Sequence, residues 1–305
     1  MIQRFRRRRS AVAGVLVLLV LALAGAGAGV IAPYDPAQQF LHAPASAPTD
    51  ATRDPLAQRD TGKFEAPTRA HPLGTDHLAR DVFSRTLHGL RISMLTAVVT
   101  MIAVAVLGVG VGLLAASGPR WLDALLMRGT DVAFAFPDLL LAILLRAALG
   151  ERTSILGARS LLGVEADAWL VFVAVSATAW PALARVTRVL LLSLREREFS
   201  LAATALGASR WRVALRHWLP NAVAPLLVQI TFIAPRAIFA EATLSFIGVG
   251  IRPPTPSLGV LIADHFGFVM VQWTALAVPV ALLAVIFLAF QLAADGLRVA
   301  LDPRS

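Results

Sequence analysis

The sequence predicts an all-α membrane protein with six transmembrane helices. Hydrophobic residues make up 57% of the 305 positions and charged residues only 15%. The mean hydropathy is +0.71, which lies outside the range expected for a soluble domain. A bilayer core about 30 Å thick requires about 20 apolar residues per helix. Six stretches meet this length, at residues 11–31, 92–116, 128–149, 168–191, 221–247 and 275–294.

The positive charges predict how these helices are oriented. The basic residues 4–9 directly precede the first apolar stretch, so the positive-inside rule places the N-terminus in the cytoplasm. Six crossings return the C-terminus to the same side and place residues 192–220 in the cytoplasm. Seven arginines between positions 185 and 216 agree with this orientation. We attribute the net charge of +9 to membrane topology and expect no nucleic-acid partner.

Composition also excludes several kinds of chemistry. Because the chain has no cysteine, it can form no disulfide, thiolate metal site or cysteine nucleophile. Lys63 is the only lysine and follows Gly62, but Ala57 stands where a phosphate-binding loop needs its first glycine. We therefore expect no catalytic residue, metal or cofactor in this chain. Any ATP hydrolysis would take place on partner subunits.

We divide the chain into two predicted parts. Residues 1–91 hold a basic tail, the first transmembrane helix and an extracytoplasmic loop, and residues 92–305 hold a five-helix core. The first apolar stretch is longer than a usual signal-peptide core, so we expect it to be retained as a helix. Four polar residues that precede the second apolar stretch suggest either a metal site or a polar loop packed at the membrane surface. They are His71, Asp76, His77 and Asp81. The polar loop is favoured because no His-x₃-His pair accompanies these residues.

The cytoplasmic segment 195–220 is predicted to be a helical hairpin. A first helix from Arg195 to Leu206 would end at Gly207, and a second would run from Ala208 to Trp218. Leu219 and Pro220 would open the next span. Alanines leave a shallow surface beside three apolar side chains, which are Phe199, Leu201 and Leu206. The alternative is a helix lying on the bilayer, with Arg210, Arg212 and Arg216 at anionic headgroups.

The third span carries a candidate intramembrane charge. A charge at a helix centre costs about 3 kcal/mol, so we expect Asp138 to face protein or a water-filled path. Asp131 lies two turns earlier and therefore on the same face, with Pro137 bending the helix between them. A proton-relay role for Asp138 would need an acid or histidine on another span, and the sequence offers no obvious one.

The fifth span carries three further polar residues, Gln229, Arg236 and Glu241. Arg236 and Glu241 are five positions apart, about 140° around a helix, so each is expected to meet a different partner. These side chains line a translocation path or fasten the helix to a second membrane subunit. Small residues spaced four apart suggest close helix packing at Gly25 and Gly29, and at Gly108 and Gly112.

Four separated stretches carry a resemblance to a known family. The hairpin resembles a loop named for Glu-Ala-Ala, then Gly, then Leu-Pro, although Leu201 replaces the leading Glu. The other stretches are His-Pro-Leu-Gly-Thr-Asp at 71–76, Glu-Ala-Thr-Leu-Ser-Phe-Ile-Gly-Val-Gly at 241–250, and Arg-Pro-Pro-Thr-Pro-Ser-Leu-Gly at 252–259. Together they resemble the C-type permease subunit of dipeptide, oligopeptide or nickel ABC importers, which depend on a binding protein. The motif positions that match in the hairpin are Ala202, Ala203, Gly207, Leu219 and Pro220.

The resemblance implies a type I ABC importer permease in the bacterial inner membrane. It implies a second homologous permease subunit, two cytoplasmic ATP-binding subunits and an extracytoplasmic substrate-binding protein as partners, with the bilayer around them. The implied cargo is a di- or oligopeptide, with nickel, glutathione or another small peptide-like solute as alternatives. The implied ATPase-coupling residues are Phe199, Leu201, Ala202, Ala203, Leu206, Gly207, Leu219 and Pro220.

The rival hypothesis is a secondary transporter driven by an ion gradient. Such proteins tend to have helices broken near the membrane midplane and an internal repeat, and the sequence shows neither. An intramembrane enzyme is less well supported, because no His-Glu-x-x-His motif and no Ser-His pair is found within the spans.

Overall fold

The computed structural model describes residues 8–41, 61–155 and 164–301. Over these ranges the chain is helical, with two isolated β-bridges and no strand. The part of the loop between residues 42 and 60 lies outside the described residues. The helices are α1 (Arg9–Ala26), α2 (Ala28–Ile31), α3 (Val82–Ser117), α4 (Arg120–Ala135), α5 (Asp138–Ile155), α6 (Ala166–Arg195), α7 (Glu198–Ala205), α8 (Arg210–Val213), α9 (Leu219–Thr231), α10 (Ile233–Phe246), α11 (Leu258–Phe266) and α12 (Trp273–Leu301).

Five of the six predicted spans are long apolar helices in the structure. They are α1, α3, α6, the continuous stretch Arg210–Phe246 and α12. The third span is different, because its two halves, α4 and the first part of α5, meet at 92°. Pro137 lacks an N–H and forces the residue before it away from helical geometry, and Phe136 accordingly has φ −86° and ψ 137°. The predicted bend at Pro137 is confirmed, but it is larger than a bend within one helix: the segment is divided into two helices.

Helix α3 begins ten residues earlier than the predicted second span. Its first turn is capped by Asp81, whose carboxylate accepts a hydrogen bond from the backbone N–H of Ser84 at 2.7 Å. With 36 residues the helix is roughly 54 Å long at 1.5 Å per residue, well beyond a bilayer core. The division of the chain at residue 91 falls inside this helix, and the two-part domain organisation stays a prediction.

Helices α3 and α6 pack closely along a glycine seam. A Cβ on Gly108 would stand 2.8 Å from Leu183 Cβ, and one on Gly112 would stand 2.5 Å from Thr187 Cβ. The predicted packing role of this pair is confirmed, since the missing side chains let the two helices approach. In the other predicted pair only one glycine packs closely: a Cβ on Gly25 would stand 3.0 Å from the Arg91 backbone on α3, whereas a Cβ on Gly29 would meet nothing within 4 Å.

Ion pairs hold α4 against α6. Arg188 binds the Asp123 carboxylate with two nitrogens, and Arg185 lies 2.7 Å from Asp131. Asp131 is therefore a surface partner of α6, with 64% of its side chain exposed. The expectation that Asp131 shares a helix face with Asp138 is wrong, because the break at Pro137 places the two residues on separate helices that meet at 92°.

One buried arginine that the sequence analysis did not single out fixes the other half of the broken span. Arg146 on α5 is 4% exposed, and its guanidinium lies 2.7 Å from the Asp167 carboxylate at the start of α6. The same nitrogen lies 3.4 Å from the Gly250 carbonyl, after α10. A lone arginine in the apolar run 139–149 was the available signal, because such a charge needs a partner.

A buried charge network joins the loop before α3 to α11. Asp76 binds Arg80 at 2.8 Å and Arg85 at 2.6 Å, and both arginines also reach Asp264 on α11. Burial opposes ionisation of Asp76, but the charges of Arg85 and Arg80 outweigh it, so the pKa of Asp76 lies below its usual value. The residues weighed as metal ligands thus have partners within the chain, including His71 on Asp81 at 2.9 Å and His77 stacked on Phe268.

Candidate coupling hairpin and transmembrane cavity

The hairpin predicted for residues 195–220 is built from α7 and α8. Helix α7 begins at Glu198 rather than at the predicted Arg195, because Arg195 still belongs to α6. Gly207 has a φ of +86°, a left-handed conformation that suits glycine, and it ends the first arm as predicted. The Ser209 hydroxyl caps α8.

The second arm continues directly into the membrane. A π-helical turn, Ala214–Trp218, follows α8 and leads without a break into α9. Pro220 has no N–H for the preceding turn and its ring would crowd a carbonyl there, so the wider π turn accommodates it. Leu219 and Pro220 open the α-helical part of the next span, α9, as predicted, but no break separates α9 from the second arm. They lie inside one helical stretch that runs from Arg210 towards the outer side.

A buried hydrogen-bond chain locks the two arms together. The indole Nε1–H of Trp218 donates to Ser200 Oγ at 2.8 Å, and the Ser200 hydroxyl donates to the Leu194 carbonyl at 2.7 Å. Ser200 and Trp218 are only 1% and 3% exposed. The hairpin is thus fastened both to the end of α6 and to the start of the continuous stretch, so its position is fixed by this chain alone.

The predicted coupling residues divide into an outer and an inner set. Leu206 is 90% exposed, Leu201 60% and Phe199 39%, with Ala202 also on the surface. Ala203 and Leu219 instead pack against the core cluster around Val213 and Trp218. Exposed charged residues flank the outer set in the sequence, with five arginines at 195, 197, 210, 212 and 216 and two glutamates at 196 and 198. The hairpin therefore presents an apolar tip with a mainly basic rim.

A cavity of about 560 Å³ lies between two regular helix faces. Its walls repeat at three- and four-residue spacing on α6 and along α9–α10, so each helix contributes one continuous face. The α6 residues are Val175, Thr178, Ala179, Ala182, Leu183 and Val186. The others are Gln229, Phe232, Ile233, Arg236, Ala237 and Ala240, with Phe134 and Asp138 from the broken span. This spacing was visible in the sequence, but no motif pointed to α6.

Three of the four predicted path residues meet in this cavity. Asp138, Gln229 and Arg236 all line it, and all three are exposed in the isolated chain, so the cavity opens away from the protein core. Within the described residues none of the three forms a hydrogen bond or ion pair with another side chain. Their charges and amide are available to water, to cargo or to another subunit.

Glu241 does not belong to this cavity. It is 0% exposed, and its carboxylate accepts hydrogen bonds from Ser245 at 2.9 Å, Ser257 at 2.6 Å and Ser93 at 3.2 Å. The three serines come from α10, from the turn before α11, and from α3. The expectation that Glu241 lines a path or meets a second subunit is corrected, because its position about 140° from Arg236 turns it into the core.

Comparison with known proteins identifies the family. Residues 108–305 match the family described as the binding-protein-dependent transport system inner membrane component. Residues 1–48 match the N-terminal transmembrane domain of oligopeptide transport permease C. The chain belongs to the binding-protein-dependent permease family. It is therefore an integral membrane permease subunit, and the family implies partners that hydrolyse ATP and bind substrate.

Individual relatives agree with this assignment. A putative peptide transport system permease protein of Brucella suis biovar 1 (strain 1330) is 38% identical over 258 residues, 85% of this chain and 82% of the relative. The di/tripeptide transport system permease protein DppC of Pseudomonas aeruginosa (strain UCBPP-PA14) is 32% identical over 302 residues, 99% of this chain and 90% of the relative.

A solved structure shares the fold. It is the methionine ABC transporter MetNI in an inward-facing conformation, with a TM-score of 0.58 and 18% identity, covering 72% of this chain and 96% of that chain. At this identity the likeness speaks for the type I importer fold alone. Broken helices are typical of secondary transporters, but the broken span of this chain occurs in a member of the binding-protein-dependent permease family.

Proposed function

We propose that this chain is the permease subunit of an ATP-driven peptide importer in a bacterial inner membrane. It pairs with a second homologous permease subunit to enclose a path for di- or oligopeptides. Two cytoplasmic subunits bind and hydrolyse ATP, and an extracytoplasmic binding protein delivers the cargo. The supporting observation is a rigid cytoplasmic hairpin with an apolar tip that continues, without a helical break, into a wall of the transmembrane cavity.

This continuity explains how force on the hairpin reaches the cavity. The Trp218–Ser200 bond fixes the hairpin to the start of the stretch that carries Gln229 and Arg236. Closure of the ATPase subunits on ATP would displace the hairpin, and the attached helices would move as rigid bodies. The cavity then opens to one side of the membrane and closes to the other. The chain itself makes and breaks no covalent bond, and it needs no cofactor of its own.

The tip of the hairpin indicates what kind of groove receives it. Leu201 stands where the family motif has Glu, and its side chain is largely exposed beside Leu206. An apolar tip is stabilised by burial, about 25 cal/mol per Å² of apolar surface removed from water. We infer that the ATPase groove is apolar at its centre, with acidic groups around it to meet the basic rim.

The function is tested by reconstituting the chain with its partner subunits and binding protein in proteoliposomes. We expect uptake of a radiolabelled dipeptide that requires ATP on the cytoplasmic face and persists when an ionophore collapses ion gradients. Uptake that stops with the ionophore but continues without ATP would favour the secondary transporter instead. ATP-dependent uptake of nickel or glutathione, with no peptide uptake, would support the alternative cargos.

The docking role is tested separately by cross-linking. Because the native chain has no cysteine, a single cysteine can be placed at will. Leu206→Cys and Ala202→Cys should cross-link efficiently to the ATPase subunit, whereas Ala203→Cys should react less because that position faces the core. Met270→Cys, 95% exposed at the opposite end, is the control. A hairpin that yields cross-links only to lipid would support the bilayer-surface hypothesis.

A further inference from the structure

The cavity between α6 and α9–α10 holds one acid and one base that have no partner within the described chain. Asp138 and Arg236 both line it, yet no ion pair joins them or ties either one to another described side chain. By contrast, Asp123 and Asp167 each form an ion pair with an arginine on a neighbouring helix. Two unpaired opposite charges in an apolar wall are costly unless something neutralises both.

The rest of the lining suits a small polar molecule with an apolar body. Gln229 offers an amide, and Thr178 offers a hydroxyl oxygen that can accept, because its proton already bonds the Val175 carbonyl. Alanine, valine, leucine, isoleucine and phenylalanine side chains line the rest of the wall. The volume of about 560 Å³ lies within the range of about 300–1,000 Å³ typical of small-molecule sites. An extended dipeptide is about 7 Å long and a tripeptide about 10 Å, so either fits this space.

The pair of charges favours a zwitterion over a free metal cation such as nickel. A guanidinium binds a carboxylate through two parallel hydrogen bonds, and a carboxylate binds an ammonium group well. A metal cation would be repelled by Arg236, and the described residues contain no group of three or more histidines and acids suited to a metal. A peptide with free ends carries both complementary charges on one molecule.

We propose that Asp138 and Arg236 form a subsite that contacts the two charged ends of a peptide during translocation. Arg236 binds the terminal carboxylate and Asp138 the terminal ammonium group, while Gln229 and Thr178 meet the peptide bond. This inference rests on the proposed importer function and adds the chemistry that the cargo must carry. It also gives Arg236 a role in peptide selection that does not depend on the binding protein.

A cysteine-protection assay tests the subsite without the binding protein's own selectivity. Ala240→Cys and Ala182→Cys place a thiol in the cavity wall, and Ala284→Cys places one in the separate apolar groove between α10 and α12. The assembled permease and ATPase complex, in detergent and without binding protein, is labelled with a maleimide. Dialanine should slow labelling at the two cavity positions but not at position 284. N-acetyl-dialanine amide, which lacks both charges, should protect neither.

Second-site variants assign the two charges. Adding Arg236→Gln should raise the dialanine concentration needed for protection about tenfold, the size expected for one charge-assisted hydrogen bond. Asp138→Asn should act similarly, and N-acetyl-dialanine should be insensitive to it. The matched controls are Arg120→Gln at the start of α4 and Asp295→Asn on α12, two exposed positions outside this cavity, which should leave protection unchanged.

The outcomes separate the subsite from the proposed function. Equal protection by the blocked peptide, or protection that ignores Arg236→Gln, overturns the subsite. Loss of the second permease subunit from purified Arg236→Gln complexes also overturns it, because the charge would then be an intersubunit contact. A wild-type importer that shows no ATP-driven dialanine uptake overturns the importer function itself, whereas peptide uptake unaffected by both variants overturns only the subsite.

Discussion

Glu241 and Arg236 show that neighbouring polar residues of one membrane helix can differ in role, one within the core and the other in the cavity wall. Glu241 and Arg236 lie five positions apart on one helix, yet one is fully buried and the other lines a cavity. Glu241 accepts three serine hydroxyls from three segments, so its carboxylate joins α3, α10 and the turn before α11. Ser257 also caps α11 by accepting the Val260 N–H. Glu241 is therefore a structural group that ties these three segments together.

We expect Glu241→Ala to destabilise the protein strongly. The change leaves three buried hydroxyls without an acceptor, and each unsatisfied group costs about 1–3 kcal/mol. Glu241→Gln keeps a carbonyl acceptor and should cost less. The midpoint of thermal unfolding in detergent measures both. Thr243→Ala on the same helix is the control, because its hydroxyl is exposed and bonds only within the helix. Equal midpoints for the two alanine variants would contradict the structural role of Glu241.

His265 on α11 should make the stability of the folded protein sensitive to pH. Burial, the largest effect, and the charge of Arg85 lower the pKa of His265 below 6.5, outweighing the Leu261 carbonyl, Asp76 and Asp264. Its Nδ1–H donates to the Leu261 carbonyl at 2.7 Å, and Nε2 has no hydrogen-bond partner among the described residues. Protonation would therefore add a buried donor without an acceptor.

The direction of the pH effect follows from that lowered pKa. Below about pH 6.5 the unfolded chain takes up a proton that the folded chain resists, so stability present above this pH is lost as the pH falls. We expect the unfolding midpoint to drop between about pH 7.5 and 5.5, and His265→Asn to reduce the drop. Burial lowers the pKa of His77 in the same sense, so part of the effect should remain. Phe266→Leu, with no titrating group, should keep the full drop.

At the scale of elements, the α3–α6 seam is the contact that depends most visibly on missing side chains. We expect Gly112→Leu to lower the unfolding midpoint and the folded yield, since even a Cβ there would stand 2.6 Å from the Ala184 carbonyl oxygen. Gly110→Leu on the same helix is the matched control, because nothing lies within 4 Å of its added Cβ. Similar losses in both variants would show that helix propensity, rather than packing, sets the cost.

The elements also show which parts of this fold can be predicted from sequence. The length and hydropathy of the apolar stretches predict five of the spans, and Gly207 predicts the turn of the hairpin. These features can be predicted because they depend on neighbouring residues in the sequence. The break at Pro137 was expected only as a bend, since a proline fixes its own surroundings but not the partners that hold each half. Arg146 and Arg185 supply those partners, from ion pairs that form only after the helices pack. Two of the three serines around Glu241 are likewise 148 and 16 residues away in sequence.

For the whole molecule, whether the broken span crosses the bilayer determines on which side of the membrane each later segment lies. If α4 and α5 together cross the bilayer, six crossings place the hairpin in the cytoplasm; if they form a re-entrant loop, five crossings place it outside. Two ion pairs anchor α4 near the arginine-rich end of α6, and the Arg146–Asp167 pair anchors α5 near the opposite end. The two halves are thus held at opposite ends of the same long helix, which favours a crossing.

Single cysteines test this topology directly in intact cells. We expect a membrane-impermeant maleimide to label Met270→Cys from outside, because that side chain is 95% exposed beyond α11. Leu206→Cys, 90% exposed, should react only after the membrane is permeabilised. The reverse pattern would mean that the broken span does not cross, and it would remove the hairpin from the reach of any cytoplasmic ATPase. The unsubstituted chain, which has no cysteine, provides the background.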